Sequence, residues 1–258
     1  MVWTFIQKTA WPMTPPAPWS FFHIVFSLFG LVSVVFFTRL LIRPPLSDKK
    51  ISMVLWRCGL ILAVSEVYKQ LFLYKIVNNC RYDWWYFPFQ LCSTPMYLCL
   101  IFPLLPSGKV RRTAAVYLQS FGFLGGIMAL IEPSGLMHPY WTLTLHGFVW
   151  HLLLIFIACF CTASGLAGEE DRSFLYTLPL FYIFCLIAMT INIVTRGTAD
   201  MFYISPYYPI TQIVFHEISL SLGIWPGIAV YLLAICTGAF LCRKMTAAVF
   251  NMYNKRSG

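Results

Sequence analysis

Seven apolar runs punctuate the chain, at residues 19–42, 51–74, 89–106, 113–131, 142–163, 174–195 and roughly 222–242. Several exceed the roughly 18 residues that a helix needs to cross the hydrocarbon core of a bilayer. Inside lipid every backbone N–H and C=O needs a partner from protein, so these runs predict helices. The breaks between them are short, which folds successive helices antiparallel into one bundle. Segments of about ten residues with alternating polarity, the mark of a β-barrel, do not occur. The predicted fold class is therefore all-α: a polytopic transmembrane helical bundle of about seven spans, forming a single domain over residues 1–258. The third run is short and broken by Pro95, Pro103 and Pro106, and the mixed stretch 196–221 marks the start of the last span only weakly.

Composition narrows the class. Fifty-nine per cent of the residues are hydrophobic and 10% are charged, against about 25% charged in a soluble domain. A soluble domain, a disordered chain and collagen are all excluded. The net charge of +9 raises nucleic acid as a partner, but its distribution answers otherwise. Arg39, Arg43, Lys49, Lys50, Lys109, Arg111, Arg112, Arg172, Arg243, Lys244, Lys255 and Arg256 would flank one side. Lys8, Lys75, Arg81 and Arg196 would flank the other, with Arg57 and Lys69 inside the second span. That asymmetry is a topology signal, and no RNP, zinc-finger or helix-turn-helix pattern accompanies it. It predicts an outer N-terminus and a cytoplasmic C-terminus, with Glu169, Glu170, Asp171 and Arg172 in an inner loop. The prolines at 12, 15, 16 and 18 precede an apolar run too long for a signal peptide, so the run reads as a retained first span. Tyr82, Trp84, Trp85 and Tyr86 fall in the predicted outer interfacial belt.

Ionisable groups inside a span cost at least ~2.5 kcal/mol each on insertion scales, so each needs a reason. Glu66 and Lys69 share one face of the second span and can neutralise each other, either as a structural pair or as the polar wall of a cavity. Arg57 can snorkel to the inner surface. His23 reads as a hydrogen-bonded or interfacial ring, and Gln119 and Asn192 as interhelical hydrogen-bond formers. Glu132, His138 and Asp200 fall at predicted outer ends, where solvation explains them. His146 and His151 lie five positions apart and point roughly 140° from each other on a helix, which disfavours one metal between them. A zinc site adding His216 and Glu217 would need a convergence that the sequence does not signal, so no metal and no cofactor is expected.

The nine cysteines have neither disulfide-framework nor zinc-ligand spacing. Cys58, Cys99, Cys159, Cys161, Cys185, Cys236 and Cys242 sit in or beside apolar runs and read as small hydrophobes; Cys80 stands alone in a loop. Cys92 differs by its surroundings, Phe89-Gln90-Leu91-Cys92-Ser93-Thr94-Pro95. A half-helix beginning at Thr94-Pro95 would set Cys92 just before its positive end. Alternatively, Pro95 kinks a longer helix and Cys92 is a buried small residue.

Several short motifs occur in order along the chain: Phe87-Pro88-Phe89-Gln90-Leu91-Cys92-Ser93, a Gly-rich span from Gly122 to Pro133, Leu145-His146-Gly147, and then Asn192 with Gly197, Ala199, Asp200, Met201 and Phe202. Their order and spacing resemble the bacterial YwaF-like integral membrane proteins, which are similar to the eukaryotic transmembrane protein 164 group. The resemblance implies a bacterial cell membrane protein and a lipid acyltransferase that uses a membrane-embedded cysteine and histidine, matched here by Cys92 and His146. Two positions depart from the motif: Gln90 stands where a histidine is usual, and Asp200 where an asparagine is expected.

Two functional classes follow. In the first, Cys92 attacks an ester carbonyl and His146 carries the proton, in an acyltransferase or hydrolase acting on phospholipid or lysophospholipid in an outer-leaflet pocket. The predicted topology sets both residues at similar depth. In the second, a noncatalytic transporter or lipid-binding protein lines a polar cavity with Glu66, Lys69, His146 and Asn192. Gln90, Glu66, Lys69 and Asn192 are the candidate binding residues, and membrane lipids the expected partners.

Overall fold

The computed structural model describes residues 2–42, 46–168 and 170–257, with residues 251–257 described as backbone. Arg43 and Glu169 lie outside the described residues, as do the side chains of Lys255 and Arg256. The chain is all-helical. After α1 (Val2–Lys8) and α2 (Phe21–Ile42) comes α3 (Asp48–Phe72), prolonged by a π turn at Leu73–Val77. Short 3-10 turns lead to α4 (Thr94–Ile101). Next, α5 (Lys109–Tyr117), a π turn at Leu118–Gly122 and α6 (Phe123–Ile131) form one continuous rod. Then follow α7 (Trp141–Ala163), α8 (Arg172–Leu175), α9 (Thr177–Val194), α10 (Ile213–Leu222) and α11 (Ile224–Ser257).

Among the described residues six helices are long and apolar enough to cross a membrane: Phe21–Ile42, Asp48–Val77, Lys109–Ile131, Trp141–Ala163, Arg172–Val194 and Ile224–Phe250. The predicted third span, 89–106, is the exception. Only Leu91–Leu104 is helical there, roughly 21 Å of helix at 1.5 Å per residue against a hydrocarbon core of about 30 Å. Pro95 enters at the start of α4 and Pro103 tightens its end into a 3-10 turn, because neither can donate a backbone hydrogen bond. The break is tolerated because protein encloses it: Thr94, Pro95, Met96, Leu98, Cys99 and Phe102 are buried. Its course still returns toward the start of α3. The Gln70 amide bonds the Tyr86 carbonyl, while further back along α3 Gly59 faces α4. A Cβ at Gly59 would lie 2.7 Å from the Leu100 nitrogen, so glycine is what lets the two helices touch.

Two other boundaries move. The second span begins at Asp48 rather than 51, because the Ser47 hydroxyl caps it by accepting from the Lys50 N–H. The last helix continues well past 242 and takes Arg243 and Lys244 into its body.

The central helix is α7. Gly126 of α6 and Gly30 of α2 both approach it, the first against the His151 carbonyl and Ile155, the second against Leu152. Stacked aromatics join the α5–α6 rod to α9, with Phe121 between Tyr117 at 4.8 Å and Phe181 at 4.7 Å. At one end α1 closes the bundle: Ile6 packs with Phe72, Leu73 and Leu143, and Thr9 bonds the Tyr68 hydroxyl at 2.6 Å.

Candidate functional site

The site is built on three segments: the end of α3, the turn before α4, and the first half of α7. On α3, Glu66 is buried and Lys69 sits one turn beyond it, their charges meeting at 2.7 Å. Gln70 donates to the same Glu66 oxygen at 2.7 Å, so the carboxylate is satisfied twice and the expected ion pair is present. Arg57, by contrast, is exposed near the other end of α3.

Cys92 occupies a single 3-10 turn, Leu91–Ser93. Pro95 has no N–H for the Leu91 carbonyl, and the Thr94 hydroxyl takes that acceptor instead at 2.8 Å. The next carbonyl, that of Cys92 itself, accepts the indole N–H of Trp150 at 3.1 Å. On another side Gly125 of α6 approaches the cysteine; a Cβ there would stand 3.5 Å from the Cys92 Cα and Cβ.

Trp150 lies four residues after His146 on α7, and therefore on the same helix face. Their rings are 5.4 Å apart, centroid to centroid, tilted by 34°. One tryptophan thus touches the backbone of Cys92 and the ring of His146. The His146 Nε2 is buried and has no protein hydrogen-bond partner. Buried polar atoms without a partner are uncommon and call for an explanation. Beyond the end of α6, His138 is held below the usual imidazole range, by burial first and by Lys69 second.

Gln90 and Asn192 meet a different object. The Gln90 amide donates to the Asp200 carbonyl and accepts the Phe202 N–H, both at 2.8 Å. Asn192 likewise grips Met201 from both sides, at 3.0 and 2.7 Å. Both amides bond the backbone of one loop, in which Phe202 and Tyr203 adopt left-handed φ values of 58° and 57°. Such values cost free energy in residues with a side chain and persist where surroundings enforce them. Asp200, read from the sequence as a solvated charge, is buried in this loop instead. Burial pushes its carboxyl up to about 6, against the Ser205 N–H and Thr211 hydroxyl that bond it.

The other histidines are occupied singly. His23 accepts from the Trp19 N–H and faces the Leu130 carbonyl, which sets its proton on Nε2. His151 bonds the Gly147 carbonyl, and His216 that of Ile210. Among the described residues no three His, Cys, Asp or Glu side chains come together as metal ligands. An apolar concavity of about 550 Å³ lies on α2, lined by Leu28, Val32, Val35 and Phe36, and includes none of the site residues.

Two residues escaped the sequence reading. Trp150 had a signal, its i+4 spacing from His146. Arg243 had a misleading one: counted as a flanking cation, it is 2% exposed. Its guanidinium donates to Gln119, the Ser173 hydroxyl and the carbonyls of Gly168 and Glu170. Gln119 in turn donates to Thr162 and Thr246, so its interhelical role holds.

No curated relative and no solved structure matches the chain. The TMEM164 family does, over residues 18–245. That interval takes in the six membrane-crossing helices almost to the end of the last, the Cys92 turn and the Gln90–Asn192 loop clamp. The protein is a membrane protein belonging to the TMEM164 family.

Proposed function

We propose that this protein transfers or hydrolyses the acyl chains of phospholipids, with Cys92 as nucleophile and His146 as general base. The observation that carries the reading is the buried, unpartnered Nε2 of His146, on the same α7 face as the tryptophan that holds Cys92. With the ring proton on Nδ1, that nitrogen is an acceptor available for a thiol proton. Cys92 gives its proton to His146 and its sulfur attacks the ester carbonyl, whose π electrons move to oxygen. Collapse breaks the bond to the glycerol oxygen, which takes the proton back from His146 and leaves a thioester. A lysophospholipid hydroxyl, or water, then loses its proton to His146 and attacks the thioester. The C–S bond breaks and the thiol is restored. Transfer and hydrolysis differ only in this second nucleophile. On α3 the buried Glu66 carboxylate is compensated by the half-buried Lys69 ammonium, so neither ion stands alone.

The charge asymmetry supports an outer N-terminus and a cytoplasmic C-terminus, with the site toward the outer leaflet. Reporter fusions after Gly108 and after Ser134 are expected on opposite sides, inside and outside respectively; the same side for both would overturn this orientation.

The direct test of the chemistry is capture of the thioester. Purified protein given a phospholipid with a labelled acyl chain and quenched in acid is expected to carry that label on the Cys92 peptide. Labelled lipid that binds and protects the protein but leaves no acyl group on Cys92 would move the family member to the noncatalytic class, a lipid-binding protein or transporter.

A further inference from the structure

We infer that Trp150 is the positioning residue of the Cys92–His146 pair, fixing the nucleophile through its backbone and the base through its ring. The inference rests on the acyl-transfer reading for its chemistry but on separate geometry for its substance. Cys92 sits on the single 3-10 turn that opens the Leu91–Leu104 helical segment. Leu91–Ser93 is one 3-10 turn between the Pro88 region and the start of α4, and such turns have poorer hydrogen-bond geometry than an α-helix. Two of its carbonyls also take side-chain donors: Leu91 the Thr94 hydroxyl, beside the Thr94 N–H, and Cys92 the Trp150 indole at 3.1 Å.

The same indole ring is the aromatic neighbour of His146, at 5.4 Å and 34°. Among the described residues neither ring nitrogen of His146 has a hydrogen-bond partner that could orient it. In many catalytic histidines a carboxylate or carbonyl on the second nitrogen sets the ring plane. Here the packing against Trp150, which is only 5% exposed, does that work. The i, i+4 spacing on α7 fixes the distance between the two rings, and the indole N–H fixes the distance from α7 to the Cys92 turn. Losing either contact lets the sulfur and the imidazole drift independently, and misplacement of about 1 Å costs on the order of a hundredfold in rate.

The test uses the full-length protein in lipid nanodiscs, as wild type, Trp150→Phe, His146→Ala and the double variant. Phenylalanine keeps an aromatic ring and removes the indole N–H. Three quantities are read: the melting temperature, kcat and KM on a fluorescent phospholipid ester, and the rate of Cys92 alkylation by N-ethylmaleimide across pH, followed on the Cys92 peptide. Trp150→Phe is expected to lower kcat by roughly ten- to a hundredfold, with KM within about twofold of wild type. The alkylation profile of Trp150→Phe should lose its wild-type shape and resemble that of His146→Ala. In the His146→Ala background the second substitution should add little, because the two side chains act as a unit. A purely structural tryptophan would lower the melting temperature and leave the alkylation profile below that temperature unchanged; that result overturns the inference. If the wild-type protein turns over no lipid, the acyl-transfer reading falls, yet the alkylation comparison still decides the positioning role. Matching changes in Trp150→Phe and His146→Ala sustain it, and indifference to Trp150→Phe overturns it.

Discussion

Cys92→Ser is expected to abolish phospholipid turnover, with a loss of about a thousandfold or more, while the protein purifies and melts as wild type does. General base assistance and a strong nucleophile each contribute on this scale. The serine hydroxyl is nearly isosteric, so the Thr94–Leu91 and Trp150–Cys92 backbone bonds that hold the turn are untouched. What is lost is a sulfur nucleophile that ionises far more readily than a hydroxyl. His146→Ala is expected to fall to a similar residual rate. The double variant should be scarcely slower than either single one, since neither residue has a role without the other. Turnover in Cys92→Ser within tenfold of wild type, in protein free of contaminating lipase, would sink the assignment of Cys92.

Arg243→Leu is expected to be the most destabilising single change of a charged residue, costing about 1–3 kcal/mol for each buried acceptor it strands. Arg243 joins three parts of the chain: α11, which carries it, the π turn through Gln119, and the start of α8 with the residues before it through Gly168, Glu170 and Ser173. The substitution strands the Gln119 Oε1 and the Gly168 carbonyl, while the Glu170 carbonyl keeps the Ser173 N–H and hydroxyl; a stranded acceptor is more costly than never having had the bond. Lysine should recover only part of the loss, because one ammonium cannot span Gln119 on one side and the start of α8 on the other as a guanidinium fork does. Leucine at both 243 and 119 should melt higher than Arg243→Leu alone, since it removes a donor and an acceptor together. Thermal unfolding in a mild detergent measures all three. A melting temperature for Arg243→Leu indistinguishable from wild type would mean that water reaches those acceptors.

Six of the spans were legible in the sequence to within a few residues at most boundaries, because lipid imposes one requirement on all of them. A backbone with no water to bond must be helical, and the helix must be apolar for about 18 residues. The same physics marked Glu66 and Lys69: two opposite charges three residues apart in a span have few options besides each other. It also marked the third segment as irregular, through Pro95 and Pro103, although not how far short of a full span its helix falls.

What the sequence could not decide depends on contacts between distant segments. Arg243 sits beside Lys244 in the chain, and both read as cations at a membrane edge, yet Gln119, Gly168, Glu170 and Ser173 bond the first and leave the second exposed. Asp200 reads as a loop charge because nothing near it in the chain reveals that Gln90 and Asn192, 110 and 8 positions earlier, pull its loop into the bundle. Gln90 reads as a lost histidine of a motif, and only the fold shows its amide bonding both sides of a strained turn. Trp150 was one more aromatic in an apolar run until the bundle set its N–H against Cys92. Local pattern determines which segments are helices, because burial in lipid is a property of each segment alone. Which polar groups satisfy one another is a property of pairs, and the pairs exist only once the helices have packed.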